Sequence, residues 1–207
     1  MTDKRASTMP SNANPSISEI EPGLYLGDLG SSYNISTLVA YEITAMVSLS
    51  DAKSAAWNFP KNRKLVPEEN HLFIACLDSR TQDLLARLPE VCKFIDDQRG
   101  GETVNGNVLV HCTFGVSRSA TVVIAYLMRK YRKSLGSALE SVARSRKVKP
   151  NPNFMDQLAV WAEVEYELWE DAAKTDPKPR YAAYLAKRAA ILKAAGLTGN
   201  EPTCKDL

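Results

Sequence analysis

The stretch VLVHCTFGVSRSAT, from Val108 to Thr121, constrains this chain more than any other. Apolar, β-branched residues run into a short loop, and the loop opens directly into the apolar run VVIAYLM (122–128). A buried strand feeding straight into a helix is the repeating step of α/β layers, and ligands of such folds bind where strands end and helices begin. The loop holds Cys112 and, six residues on, Arg118. Helix N-termini present unpaired N–H groups and the positive end of the helix dipole, a ready anion site. A loop curled round one centre points successive N–H groups inward as a nest. Gly115 permits a backbone conformation closed to residues with side chains, and Arg118 adds a planar fork that matches two phosphate oxygens. Cys112 in that field is expected to ionise below its free value, because the thiolate is the species the nest stabilises. A nucleophile beside a tetrahedral oxyanion pocket suits phosphoryl transfer through a phosphocysteine. A Cys and an Arg at this spacing coincide easily, and a buried Cys after a strand is usually a small apolar core residue. The joint arrangement of strand, His-Cys, Gly, Arg, Ser and helix carries the reading.

The rest of the chain reads as further strands and helices. Ile20, Leu24 and Leu26 cluster around Pro22-Gly23, and ITAMVSL (43–49) and HLFIA (71–75) are short buried-strand candidates. Leu84, Leu85, Leu88, Val91, Cys92 and Ile95 recur at helical spacing. Helices are expected from about Ser117 to Tyr131 and from Ser137 to Ser145. VKPNPNF (148–154) then breaks the chain, and a last core helix carries Leu158, Trp161, Val164 and Leu168. Gly100-Gly101 and Asn105-Gly106-Asn107 mark a turn. The expected fold is α/β, a mostly parallel central sheet flanked by helices. Its parts would be a flexible tail at 1–15, a catalytic domain at 16–172 and a C-terminal helical extension at 173–207. Residues 51–70, with two prolines and many charges, form a connection of the length that is often functional or mobile. In the extension, KPRYAAYLAKRAAILKAAGL (178–197) sets Tyr181, Tyr184, Leu185, Ile191 and Leu192 near one face of a basic helix ended by Gly196. Packing on the catalytic domain is the default for such a helix. Contact through 178–197 with a partner or a membrane surface is the other reading.

Charge and composition exclude several classes. Lys+Arg 26 against Asp+Glu 24 leaves +2, so no large field directs the chain to nucleic acid or membrane. Hydrophobic residues at 44% and charged residues at 24% are globular proportions, which argues against a fully disordered chain. VVIAYLM is too short to span a bilayer, and MTDKRASTMPSNANPS has no apolar core, so a secretory signal is not expected. Cys76, Cys92, Cys112 and Cys204 fit neither a disulfide framework nor a zinc knuckle, and two His make a metal site hard to build. The expectation is a cytoplasmic or nuclear protein with free thiols and no metal or other cofactor. Lys205 and Asp206 after Cys204 do not fit a prenylation box.

HCTFGVSRS (111–119) resembles HCxxGxxR(S/T), the signature of the cysteine-dependent protein phosphatases. SRSAT followed by VVIAYLM resembles the dual-specificity branch in particular. The resemblance extends over most of 17–170: ISEIEPGLYLGDL is similar to that branch's opening strand, ITAMVSLSD to its second, and KPNPNFMDQL to its PN-x-x-F-x-x-QL motif. The last wording is also similar to a subgroup with a C-terminal zinc-binding domain, but residues 173–207 hold one Cys and no His. Phe114 departs from the Ala of most relatives, either narrowing the pocket rim or adding a stacking face, and the 51–70 connection is a second departure.

The resemblance implies the phosphatase fold and a role for each residue. Cys112 would be the nucleophile. Arg118 would bind the phosphate and stabilise the equatorial oxygens of the transition state, with the backbone N–H groups of Thr113, Phe114, Gly115, Val116, Ser117 and Arg118 cradling it. Ser119 would assist the thiolate as leaving group, or serve only as a helix-terminal hydroxyl. His111 would orient the loop by hydrogen bonding. Departure of the substrate oxygen needs a general acid, and Asp78, just past HLFIA in LDSRTQD, fits. The same carboxylate would then activate water. Asp83 is the rival, reading as a first-turn helix carboxylate, and Asp51, Asp96 and Asp97 read as surface charges. Asn151 would brace the phosphate loop through its side chain, or only open the following helix. KNRK (61–64) reads as solvated surface. Cys76 reads as a core residue, with a protective disulfide to Cys112 as the alternative.

The reading implied is metal-independent hydrolysis of phosphoprotein substrates, at phosphotyrosine and phosphoserine/threonine, through a shallow pocket. One alternative is a phosphoinositide or inositol-phosphate phosphatase, although such enzymes usually carry Lys inside the loop and TFGVS (113–117) has none. A second is a non-catalytic phosphate-binding module, against which intact Cys112, Arg118 and Asp78 speak. A third is a sulfur-transfer or arsenate-reducing enzyme sharing Cys-x5-Arg, less consistent with the Ser119 helix and the PN-x-x-F match.

Overall fold

A computed structural model of the chain describes residues 15–100 and 106–199. The expected tail (except Pro15), the turn residues 101–105 and Cys204 lie outside the described residues. Five strands form one sheet in the order β1-β2-β5-β3-β4: β1 Ile17–Glu21, β2 Leu24–Gly27, β3 Ile43–Ser50, β4 His71–Ala75 and β5 Asn107–His111. The pairs β2/β5, β5/β3 and β3/β4 are parallel, and only β1 runs antiparallel, against β2.

Period-two side-chain alternation feeds two apolar layers. Leu24, Leu26, Ala45, Val47, Leu49, Val108 and Val110 face the larger core. Tyr25, Met46 and Leu109, the residues between them, face a smaller one with Leu38 and Val66. The smaller layer carries α1 (Ile35–Ala40) and α2 (Pro60–Leu65). The larger carries α3 (Leu88–Gly100), α4 (Arg118–Tyr131), α5 (Leu135–Ala143) and α6 (Pro152–Glu163). Helix α4 is buried at every residue from Arg118 to Met128. A helix apolar nearly all round must be enclosed, and α3, α5 and α6 enclose this one.

Several expected boundaries differ. Leu85–Arg87 is a 3-10 turn before α3, and α5 begins at Leu135, where Ser134 caps it by accepting the Ser137 N–H. The last core helix stops at Glu163, short of Leu168, because Glu165 (φ 56°) and Tyr166 (φ 68°) turn left-handed. Leu168 is buried beyond the turn, and Trp169 bridges to Pro177. The chain then enters α7 (Pro179–Ala194), which packs on α6. Tyr181 and Leu192 are buried and Tyr184 and Leu185 partly so, but Ile191 is 46% exposed and lies off the packed face. No helix among the described residues is long and apolar enough to cross a membrane.

The connection at 51–70 is ordered by a 3-10 turn at Ala55–Asn58, α2 and a second 3-10 turn at Glu68–Asn70. Trp57 is buried within it.

Candidate active site

β5 delivers His111 and Cys112 to the C-terminal edge of the sheet, and α4 begins at Arg118. Between them every carbonyl from Thr113 to Val116 is taken from outside the loop. Leu29 N–H donates to Thr113 O (3.3 Å) and Lys149 N–H to Val116 O (2.9 Å). Arg146 donates through Nη2 to Phe114 O (3.2 Å) and through Nε to Gly115 O (2.8 Å). In a trans peptide the N–H points opposite to the carbonyl, so the N–H groups of 114–117 face inward, the nest that the sequence implied. Gly115 sits at φ +66°, and a Cβ there would lie 2.5 Å from Gly27 O. Only glycine meets both conditions.

Cys112 is 3% exposed at the floor of the loop. Its Sγ accepts from Gly115 N–H (3.2 Å) and Ser119 O–H (3.2 Å). Burial pushes the thiol up, but the Ser119 hydroxyl and N–H, the Arg118 charge and the Phe114 N–H outweigh it and hold Cys112 below the ordinary thiol value. Ser119 therefore faces the sulfur and is not the helix cap. Arg118, also buried, donates from Nη1 to Cys76 O (3.0 Å) and from Nη2 to Thr113 Oγ1 (2.7 Å), and its Nε has no protein partner. The guanidinium is thus fixed in plane beside the nest.

Asp78 stands exposed just past β4. Its Oδ1 accepts from Ser117 Oγ (2.9 Å) and Asn151 Nδ2 (2.6 Å). Asn151 fills both roles left open for it: Oδ1 caps α6 by accepting the Phe154 N–H (2.9 Å), and the main-chain N–H reaches Ser117 Oγ (3.1 Å). Its brace on the phosphate loop is thus main-chain, and its side chain holds Asp78 instead. An open cleft of about 450 Å³ is lined by Asp78, Cys112, Phe114, Arg118, Asn151 and Pro152 among others. Phe114, 75% exposed, stands at the rim. The rival Asp83 is turned under α7, where it accepts from Tyr184 OH (3.2 Å). Asp96 pairs with Arg129, and Asp97 pairs with Lys93 (2.6 Å).

His111 points away from the cleft. Its Nε2 lies 2.6 Å from Ser48 Oγ, which also lies 2.7 Å from His71 Nε2. The Trp57 ring stands edge-to-face with both imidazoles, its centroid 4.9 Å from that of His71 and 5.6 Å from that of His111. Its Nε1–H donates to Ser32 Oγ (2.9 Å). Burial, with the neighbouring His71, pushes His111 down to about 3. Burial, with the Arg63 and Lys53 charges, pushes His71 down to about 4. KNRK is only partly solvated: Asn62 is buried and donates to Tyr33 O (3.2 Å), and Arg63 Nη1 lies 3.2 Å from His71 Nδ1. Cys76 and Cys112 are both free thiols, and burial pushes Cys76 up to about 12 against the pull of Arg118, an inert core thiol. Residue types signalled Cys112, Arg118 and Asp78. Nothing local signalled Arg146, Ser48 or Trp57, whose partners are distant in sequence.

Comparison with known proteins gives a consistent result. The family model for the dual specificity phosphatase catalytic domain matches residues 24–164. The human dual specificity protein phosphatase 6 is 37% identical over 159 residues, which cover 76% of this chain and 39% of that protein. The chain thus spans about two fifths of the length of such curated relatives. Among solved structures, the Yvh1 phosphatase domain from Chaetomium thermophilum superposes with a TM-score of 0.64 at 30% identity, over 72% of this chain and 96% of that one. The human tyrosine phosphatase-like serine/threonine/tyrosine-interacting protein does so with a TM-score of 0.64 at 28% identity, over 73% of this chain and 98% of that one.

Proposed function

The chain belongs to the dual specificity phosphatase family, and we propose that it hydrolyses phosphotyrosine and phosphoserine/threonine in proteins through a phosphocysteine. The observation that carries the reading is the double donation to Cys112 Sγ, from Ser119 O–H and Gly115 N–H, beside the buried Arg118. The thiolate of Cys112 attacks phosphorus, forming the S–P bond as the P–O bond to the substrate breaks. The inward N–H groups of 114–117 and Arg118 stabilise the equatorial oxygens. Asp78 protonates the departing oxygen, and both recorded hydrogen bonds to it fall on Oδ1, so Oδ2 is the oxygen to carry the proton. In the second half Asp78 takes a proton from water, whose oxygen attacks phosphorus, and Cys112 leaves as the thiolate that Ser119 O–H stabilises. No cofactor enters these steps. The open cleft with no lysine in 113–117 supports phosphorylated side chains over inositol phosphates.

Phosphate release from phosphotyrosine, phosphoserine and phosphothreonine peptides, phosphoinositides and inositol phosphates, with and without chelator, tests the reading. Release from the peptides, unaffected by chelator and absent in Cys112→Ser, is expected. Turnover restricted to inositol lipids, or none with any substrate, defeats it.

A further inference from the structure

Residues 77–85 carry Asp78, and bonds among their own groups, which include Gln82 Nε2 to Asp83 O (3.1 Å) and the Ser79 and Thr81 hydroxyls to each other (3.4 Å), supply part of their anchoring. Leu77 N–H donates to Gln82 Oε1 (2.8 Å) and Gln82 N–H to Ser79 Oγ (3.2 Å). Other ties come from two helices beneath. From α6, Asn153 Nδ2 donates to Ser79 O (3.1 Å) and Gln82 O (2.8 Å). Gln157 Oε1 accepts the N–H groups of Leu84 (2.8 Å) and Leu85 (2.7 Å), and its Nε2 donates to Gln82 O (2.8 Å). From α7, Tyr184 OH donates to Asp83 Oδ1 (3.2 Å) and Arg188 Nη2 to Thr81 O (3.3 Å), and Arg188 Nε lies 3.9 Å from Asp83 Oδ2. Asp83 is mostly buried there, and this pair is a charge contact without a hydrogen bond. Tyr181 and Leu192, buried at the two ends of α7, fix the helix that presents these groups. The family match ends at residue 164, before α7 begins.

We propose that Tyr184 and Arg188 are positioning residues for proton donation by Asp78, clamping the far half of its loop from a helix outside the shared catalytic domain. The proposal rests on the reading of Asp78 as the acid. Loop order matters to that step because a proton donor must sit within hydrogen-bond reach of one oxygen. An exposed segment that loses its α7 tethers regains conformational freedom that the acid geometry does not tolerate. The clamp touches neither Cys112 nor Arg118, so loosening it costs most on substrates whose leaving oxygen needs the proton, and reaches a good leaving group only through the shared water step.

The test uses the full chain with Tyr184→Phe/Arg188→Gln, and Tyr184→Phe alone as a variant lacking one hydroxyl. Each is assayed on a phosphoserine peptide, whose leaving group is poor, and on para-nitrophenyl phosphate, whose leaving group is good. Asp78→Asn is run in parallel. The double variant should lose about tenfold in kcat on the peptide at unchanged KM, and less than about twofold on the aryl phosphate. Tyr184→Phe should show the same selectivity in smaller degree. Equal losses on both substrates, or none on the peptide, while Asp78→Asn remains selective, overturn the clamp alone. An Asp78→Asn loss equal on both substrates overturns the acid assignment and the clamp with it.

Discussion

The loop from Cys112 to Arg118 has its four central carbonyls bound by two main-chain N–H groups and one arginine, and lies between a strand and an enclosed helix. The loop carrying Asp78 is open to solvent and is held by side chains reaching up from α6 and α7, 71 to 107 residues away in sequence. The first loop is stiff because strand, helix and these partners hold it along its length, and Gly115 is the position in it with positive φ and no room for a Cβ. The second is stiff only while its neighbours stay in place. Damage to the first should strike every substrate alike, and damage to the second should depend on what is leaving.

Cys112→Ser should abolish turnover on every substrate while inorganic phosphate still binds, because the nest and Arg118 remain and a serine hydroxyl is hardly ionised near neutral pH. Single-turnover assays with calorimetry check this, and residual turnover would break the comparison at its stronger end. Asp78→Ala should lose about 10²–10⁴-fold on phosphoserine peptides and distinctly less on para-nitrophenyl phosphate. An equal loss would make the two loops alike.

Ending the chain at Thr175 removes α7 and should lower the melting temperature. Tyr181 and Leu192 are buried, and full burial is worth about 1.5–3 kcal/mol per large side chain. An unchanged midpoint would show that α7 contributes nothing to the fold. Acid should destabilise the flank of the phosphate loop. His111 and His71 are pushed down to about 3 and about 4 when folded. Below about 6.5 the unfolded chain therefore takes up protons that the folded chain does not. Stability is full above that value and falls toward about pH 4, by on the order of 1 kcal/mol per histidine one unit below it. His71→Gln should flatten this slope in denaturant titrations read across pH. Ser119→Ala should cost about tenfold in kcat, equally on both substrates, since a hydrogen bond to a charged group is worth about 1.5–3 kcal/mol. The pH midpoint of Cys112 alkylation should also rise.

The same contrast explains what the sequence disclosed. The sheet was legible because ITAMVSL, HLFIA and VLVH carry an apolar period or run on their own, and α4 because its residues are apolar almost all round. The phosphate loop was legible because strand, Cys112, Gly115, Arg118 and Ser119 lie within a dozen residues. The ties of the Asp78 loop were not: Gln157 stood out only as part of the QL motif and Tyr184 only as part of an apolar face, and Asn153 and Arg188 look like ordinary polar positions on amphipathic helices. The end of α6 was also hidden: Glu165 and Tyr166 adopt left-handed backbone with no glycine to announce it. Residues 51–70 looked loose because Trp57 and Asn62 are single buried residues in a charged stretch, and tertiary contacts supply the order.

The Ser48 bridge between two imidazoles has one hydrogen to give, and that fixes the tautomer of each ring. Arg63 Nη1 can only donate, so His71 Nδ1 accepts and the hydrogen of His71 sits on Nε2. That nitrogen donates to Ser48 Oγ, which is left to donate onward to His111 Nε2. His111 then bears its hydrogen on Nδ1. The bonds run in one direction, from a cation on the surface helix α2 to the residue beside Cys112: reversing the first pair would set two donors face to face, and reversing the last would leave the hydrogen of the buried Ser48 hydroxyl without either imidazole as acceptor. Arg63, which does not line the cleft, thereby bears on which nitrogen of His111 carries the hydrogen.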